Sequence, residues 1–313
     1  NGIYKSIDAG ATWVKLAGGL PSSSLIGRIS LAVAPSQSSR LYALIASPAT
    51  SSGGGASTQG AYRSDDAGAH WTSIPVGSIQ STYGWYLCVV NVSPTNASTV
   101  FFGGLNFVRS TNAGASFNTV TPPHVDMHAA AWDASGRLLV GDDGGVHRST
   151  DLGNNWSSLN AGLGTVQFYA GLSSHPTNAL IYYGGAQDNG TSRRSTNSKN
   201  WSQVVGGDGG WTQVDPVNPN RAFAEYQGSG NLFRSTDGGN NFNFSGNGID
   251  VGDRNCFLPP YVIDGTNPNR MLYATQRLFR SLDGGSNWSV LSGDLTTGSG
   301  AIRTLALAPS DPN

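Results

Sequence analysis

The 313 residues carry 18 Lys+Arg against 19 Asp+Glu, a formal net charge of −1, so no basic field exists to hold nucleic acid or an anionic membrane surface. Glycine, at 43 residues, is about twice its average usage, yet it follows no Gly-X-Y period and 10% of residues are aromatic, which excludes a collagen-like or disordered chain. Two cysteines, Cys88 and Cys256, are too few for a disulfide framework or a multi-cysteine zinc site, and no apolar run approaches the roughly 20 residues of a spanning helix.

In chain order, NGIYKSIDAGATWVKL reads as two strands about a tight turn, ISLAVAPSQSSRLYALI as strand, turn and strand, and YRSDDAGAHW as the first pattern again. LCVVNVSPTNASTVFFGG, AAAWDASGRLLVG, FYAGLSSHPTNALIYYGG, TQVDPVNPNRAFAEY and PYVIDGTNPNRMLYAT repeat the second pattern, each followed by a copy of the first. The recurring segment is Ser-x-Asp-x-Gly-x-x-Trp, at Ser6, Ser64, Ser110, Ser149, Ser235 and Ser281, with a decayed copy at Ser195 that lacks the glycine. Intact copies have Asp or Asn two residues after the serine and Trp or Phe seven after it. The glycine supplies the positive φ of a tight hairpin, the aspartate accepts hydrogen bonds from the turn's own N–H groups, and the aromatic packs. A residue repeated in every unit marks no single site, so these aspartates read as structural.

A spacing of about 45 residues is that of a four-stranded propeller blade, which predicts an all-β, seven-bladed β-propeller forming one domain over 1–313. The C-terminal AIRTLALAPSDPN reads as an inner strand without partners, and the N-terminal hairpin as two outer strands. The last blade is therefore expected to be closed by N- and C-terminal strands, in a chain that continues beyond one end.

These segments resemble the Asp-box (BNR) repeats of sialidases, xyloglucan-active endoglucanases, sortilin-type receptors and a photosystem assembly factor, over the whole chain. The resemblance implies the propeller; its members include hydrolases, receptors and assembly factors, so it does not imply one activity. The Phe/Tyr-Arg-Ile-Pro segment of sialidases is missing, with GRIS at Gly27–Ser30 as a faint echo. The only glutamate, Glu225, falls near the end of a strand, which disfavours a sialidase Tyr/Glu pair.

Loops entering the first strand of a blade and those joining its second and third are expected on one face. There the irregular segments PPHVDMHAAAW, VGDDGGVHRS, TVQFY, GGAQDNGTSRR, GGDGGWTQ and GIDVGDRNCF gather three of the five histidines and most acids outside the repeats. Asp126, Asp143, Asp188 and Asp208 are the candidate catalytic carboxylates, since glycoside hydrolysis needs an acid and a second carboxylate. His124, His128, Gln187, Asn189, Tyr169, Trp211 and Arg254 are candidate ligand contacts, with Trp85, Trp132 and Tyr83 as further rings for sugar stacking. His124, Asp126 and His128 alternate along an extended segment and, with Asp143 or Asp188, form a candidate site for a divalent ion, zinc by its imidazoles or calcium by its oxygens. A third reading makes these groups structural, bonding neighbouring blades and water.

The expected protein is a secreted, carbohydrate-directed propeller, a glycoside hydrolase if an enzyme; the alternative is a non-catalytic scaffold. Its partners would be a polysaccharide or a cell-surface or extracellular protein. Three lysines, one glutamate and abundant Asn, Ser, Thr and Gly resemble exported bacterial proteins, giving an extracellular or periplasmic location.

Overall fold

The computed structural model describes residues 1–50, 55–169, 172–296 and 298–308. It is an all-β protein of the β-propeller class, with a single 3-10 turn at Ser23–Leu25 among the described residues. Two compact units divide the chain, Asn1–Thr165 and Val166–Asn313.

In the first unit, β1 (Tyr4–Lys5) and β2 (Val14–Lys15) form a two-stranded hairpin. Three four-stranded antiparallel meanders follow: β3 (Ile29–Val33), β4 (Leu41–Ala46), β5 (Thr58–Ser64) and β6 (Thr72–Ile74); β7 (Val89–Val92), β8 (Val100–Gly103), β9 (Phe107–Ser110) and β10 (Asn118–Val120); β11 (Ala129–Trp132), β12 (Leu138–Asp142), β13 (Gly145–Ser149) and β14 (Ser157–Ser158). The second unit has three more: β15 (Ser173–Ser174), β16 (Tyr182–Ala186), β17 (Gly190–Arg194) and β18 (Ser202–Val205); β19 (Gly209–Val214), β20 (Ala222–Tyr226), β21 (Leu232–Ser235) and β22 (Asn243–Phe244); β23 (Tyr261–Ile263), β24 (Met271–Ala274), β25 (Leu278–Ser281) and β26 (Ser289–Val290).

The cores lie between successive sheets of a unit, because both faces of each central strand are apolar. On β8, Phe102 packs with Tyr42, Leu44 and Ile74 of the preceding sheet, while the adjacent Phe101 packs with Leu138 and Val140 of the following one. Alternation of side chains across a strand sends the two phenylalanines into different cores.

The repeated hairpin closes as its residues dictate. In the copy after β21, Ser235 Oγ donates to Asp237 Oδ1 at 2.8 Å and accepts from Gly239 N–H at 2.8 Å, while Asp237 Oδ1 accepts from Asn241 N–H at 3.0 Å. Gly239 has φ +84°, and the preceding Gly238 is left-handed as well, at +73°. Ala9, Ala67, Ala113 and Leu152 occupy that second left-handed position in other copies, a strain the sequence does not announce. Hydrogen bonds from the turn hold the Asp151 and Asp283 carboxyls down to about 2, although burial opposes the shift at Asp283. Replacing Ser235 by alanine removes the hydroxyl that joins the aspartate to the glycine N–H. A loss of about 1–3 kcal/mol is expected in urea unfolding, and an unchanged midpoint would refute the hydroxyl's role.

The basic residue before the serine has a part that the repeat alone does not reveal. Lys5 Nζ donates to Ala67 O at 2.8 Å, Arg63 Nη1 to Ala113 O at 2.6 Å, Arg109 Nη1 to Leu152 O, and Arg234 Nη1 to Gly284 O at 2.8 Å. Each reaches the left-handed residue of the next hairpin in its unit.

Turns between first and second strands carry a second device. Asp215 Oδ1 accepts Val217 N–H at 2.8 Å and Asn218 N–H at 3.0 Å, and its Oδ2 accepts Arg221 Nε at 2.7 Å. Asp264 and Arg270 repeat this clasp, and Asp133 with Arg137 forms a shorter one.

The C-terminal segment expected to close the last sheet forms no strand over 301–308, and 309–313 lie outside the described residues. Ile302 N–H donates instead to Thr275 O at 2.9 Å. The seventh sheet is thus the β1–β2 hairpin, and two short strands bury little: Trp13 is 62% exposed, against 4% for Trp71 in the equivalent place. The Gly/Ser-rich stretch 47–59 lies partly outside the described residues, at 51–54.

Candidate functional site

In the first unit the loops entering β7 and β11 and the loop leaving β12 meet, as the strand order requires. Tyr83 has φ +64°, a conformation that costs a bulky residue about 1–3 kcal/mol. It begins the turn 83–86, in which Tyr83 O accepts N–H bonds from Tyr86 and Leu87, both at 2.7 Å. Arg28 Nη1 donates to Tyr86 O at 2.6 Å and Trp85 O at 3.2 Å. A Cβ on Gly84 would come within 2.3 Å of Ala56 O, so only glycine lets this turn lie down on the sheet. Tyr83, Trp85 and Tyr86 are all about half exposed.

The Tyr86 ring stands edge-on to His128 at 4.9 Å, and His128 Nε2 bonds Asp143 Oδ1. Behind this half-exposed pair lies a buried one, in which His147 Nδ1 meets Asp142 Oδ2 at 3.0 Å and Gly144 N–H donates to Asp142 Oδ1 at 3.0 Å. Burial pushes the Asp142 carboxyl up, and the adjacent histidines, His147 before His124, pull it partly back. Gly144 is required here, since a Cβ would sit 2.7 Å from that of His124. Two histidine–carboxylate pairs, one exposed and one sealed, suit proton transfer at the first and rigid support by the second.

The expected metal set does not form. Asp126 has φ +67°, which breaks the extended alternation that would have aimed His124, Asp126 and His128 the same way. His124 Nδ1 lies 3.1 Å from Val125 O and His128 turns to Asp143, so the two histidines do not join Asp126 in one ligand set, whereas a carboxylate oxygen of Asp126 lies within 4.8 Å of one on Asp143, the further ligand that the sequence allows.

In the second unit, Asp188 and Asp208 come together. Asp188, at φ +59° in the turn between β16 and β17, donates its N–H to Asp208 Oδ1 at 2.7 Å. Asp208 N–H donates to Gln227 Oε1 at 3.0 Å. Burial raises the Asp208 pKa, and its hydrogen bond to the Asp188 carboxyl and the charge of that neighbour raise it further. Tyr169 is near enough that both aspartates add to the upward shift that burial gives its phenol, and its ring lies 6.5 Å from that of the half-exposed Phe257. Gln187 is exposed, with its carbonyl accepting from Asn189 Nδ2 at 2.9 Å.

Two proposed contacts have other duties. Arg254 Nη2 pairs with Asp294 Oδ2 at 2.6 Å, and Trp211 packs on the β19–β26 core and accepts Tyr261 O–H at its carbonyl, 2.9 Å away. Trp132 likewise packs on a core. Phe257 and Gln227 were not singled out from the sequence; each follows its segment's chemistry group by only a few residues. A cavity of about 450 Å³, lined by Val204, Gly207, Tyr226, Phe233 and Phe242, was equally silent in the sequence. Glu225 is 1% exposed in β20, with Oε1 accepting Trp211 N–H at 3.2 Å and Oε2 lacking a partner among the described residues. It is out of reach of any substrate.

No family model matches the chain, and no curated protein matches it. Solved structures similar to it include the GH74 xyloglucanase of Xanthomonas campestris, at 17% identity and TM-score 0.41, covering 92% of this chain and 51% of that one. A GH74 enzyme of Niastella koreensis gives 16% and 0.38, covering 99% and 65%. YCF48 bound to D1 peptide gives 16% and 0.33, covering 93% of each chain. The chain therefore spans about half the length of the xyloglucanase it resembles. Among the described residues no helix is long and apolar enough to cross a membrane.

Proposed function

We propose that this propeller is carbohydrate-directed and hydrolyses glycosidic bonds, with Asp208 as the general acid. The observation that carries the reading is the Asp188–Asp208 pair: a half-buried carboxyl, raised above the usual carboxylate range by burial and by the neighbouring Asp188 carboxyl, that accepts the Asp188 N–H at 2.7 Å beside the rings of Tyr169 and Phe257. A raised carboxyl pKa is what protonation of a departing glycosidic oxygen needs, and aromatic rings beside amides suit sugar faces and hydroxyls. Hydrogen-bonded carboxyls stand closer than the roughly 5–9.5 Å that separates acid from nucleophile or base in glycosidases. Asp188 therefore tunes Asp208 and is not its counterpart across the bond. Kinship with Asp-box propellers and a location outside the cytoplasm, where polysaccharides are met, belong to the same proposal.

Assay of reducing ends released from a polysaccharide panel that includes xyloglucan tests it. Asp208→Asn is expected to lower release by about 10²- to 10⁴-fold with unchanged thermal unfolding. Release from no polysaccharide would end the enzymatic reading. The direct contact of the two carboxyls favours a second reading, a non-catalytic scaffold, in which sugars are held but not cut; binding without release would establish it.

A further inference from the structure

We infer that the turn 83–86 of the first unit, with the His128–Asp143 pair beside it, is a binding platform for a neutral polysaccharide chain. The inference takes its ligand class from the carbohydrate reading above, but uses residues of the other unit and needs no cleavage.

Three features show a turn built for presentation. Tyr83 holds a left-handed conformation although it is bulky, and Gly84 alone fits between Ala56 and Gln80 beneath it. Arg28 fastens the carbonyls of both Trp85 and Tyr86. The result is that Tyr83, Trp85 and Tyr86 stand 48%, 46% and 51% exposed, while Trp71 and Trp288 of the repeats are buried. Backbone strain that leaves large rings in water is unfavourable for folding alone, and so points to a ligand.

The surroundings choose the ligand. The rings of Trp85 and Tyr86 are in tilted contact, with centroids 5.4 Å apart and planes at 36°. Such rings offer flat apolar surface to the C–H faces of pyranoses whose hydroxyls are equatorial. His128 and Asp143, held at the edge of Tyr86, offer a polar rim to those hydroxyls. Among the described residues, the cation that bonds the turn, Arg28, is engaged with main-chain carbonyls, so an anionic polymer finds little to neutralise it. A neutral glycan with equatorial hydroxyls satisfies both the faces and the rim.

Affinity electrophoresis in native gels containing hydroxyethylcellulose, galactomannan, arabinoxylan or polygalacturonate tests this. The protein is expected to be retarded by at least one neutral polymer and not by polygalacturonate. Trp85→Ala should weaken that retardation at least about tenfold, with Trp85→Phe restoring part of it. Tyr86→Ala, which removes the other ring, provides a second reading should Trp85→Ala not fold. Asp208→Asn should be retarded like the parent, so loss of cleavage and loss of the platform are told apart. Equal retardation of the Trp85 and Tyr86 variants, retardation by polygalacturonate alone, or by no polymer, would overturn the platform. So would Trp85-dependent capture of a proline-rich peptide in place of a glycan, since aromatic grooves also take that ligand.

Discussion

Asp215→Ala is expected to cost about 3–5 kcal/mol of unfolding free energy, the range for removing one partner of a buried ion pair. The Asp215 side chain is wholly buried and that of Arg221 only 15% exposed. Its loss strands the guanidinium and leaves the N–H groups of Val217 and Asn218 without their acceptor. Arg221 retains a bond to Asn269 Oδ1 at 3.0 Å, which limits the damage. The matched comparison is Asp133→Ala, where the arginine is 41% exposed and water can take over; there the ion pair itself contributes about 0–1 kcal/mol. Urea unfolding of the two variants decides the matter: equal small losses would show that burial does not set the strength of the clasp.

The second large effect is a pH dependence, from Glu225. Burial holds its carboxyl well above the usual range, and one hydrogen bond from Trp211 N–H does not offset it. The folded state therefore binds this proton more tightly than the unfolded state does. Its contribution is fully present below about pH 4.5 and is lost as pH rises through the folded value, at about 1.4 kcal/mol per pH unit in between. Glu225→Gln keeps the shape and the acceptor for Trp211 but carries no titrating proton. Stability of the parent relative to this variant should fall in denaturant titrations as pH rises above about 4.5 and level off once the folded value is passed. A constant difference would mean that the folded protein ionises Glu225 as readily as the unfolded chain.

The blades were legible because their signals are local: Asp-x-Gly fixes a hairpin, and uninterrupted apolar runs such as LYALIA and VFFG mark the strands covered on both faces. The convergence of the loops before β7 and β11 also followed, since meander order alone sends them to one edge. The two histidines do not meet Asp126, for a reason that one sequence does not carry. Whether His124, Asp126 and His128 point together depends on the φ of Asp126; aspartate tolerates the left-handed region, but its residue type does not say when it adopts it. Trp211 and Arg254 have partners, the β19–β26 core and Asp294, that no local signal shows, because they are tertiary. The Asp–Arg clasps lie in DPVNPNR and DGTNPNR, where the turn chemistry alone does not show that the arginine folds back on the aspartate.

The contacts from Lys5, Arg63, Arg109 and Arg234 to the following turn make neighbouring hairpins thermodynamically dependent on one another. Opening one turn releases the side chain that braces its successor, so loosening spreads in a fixed direction along each unit, as in a nearest-neighbour array. Because a full charge meets a carbonyl dipole and not a second charge, dissolved salt weakens this bracing less than it weakens exposed ion pairs. Each braced hairpin is accordingly stiffened by the one before it in its unit.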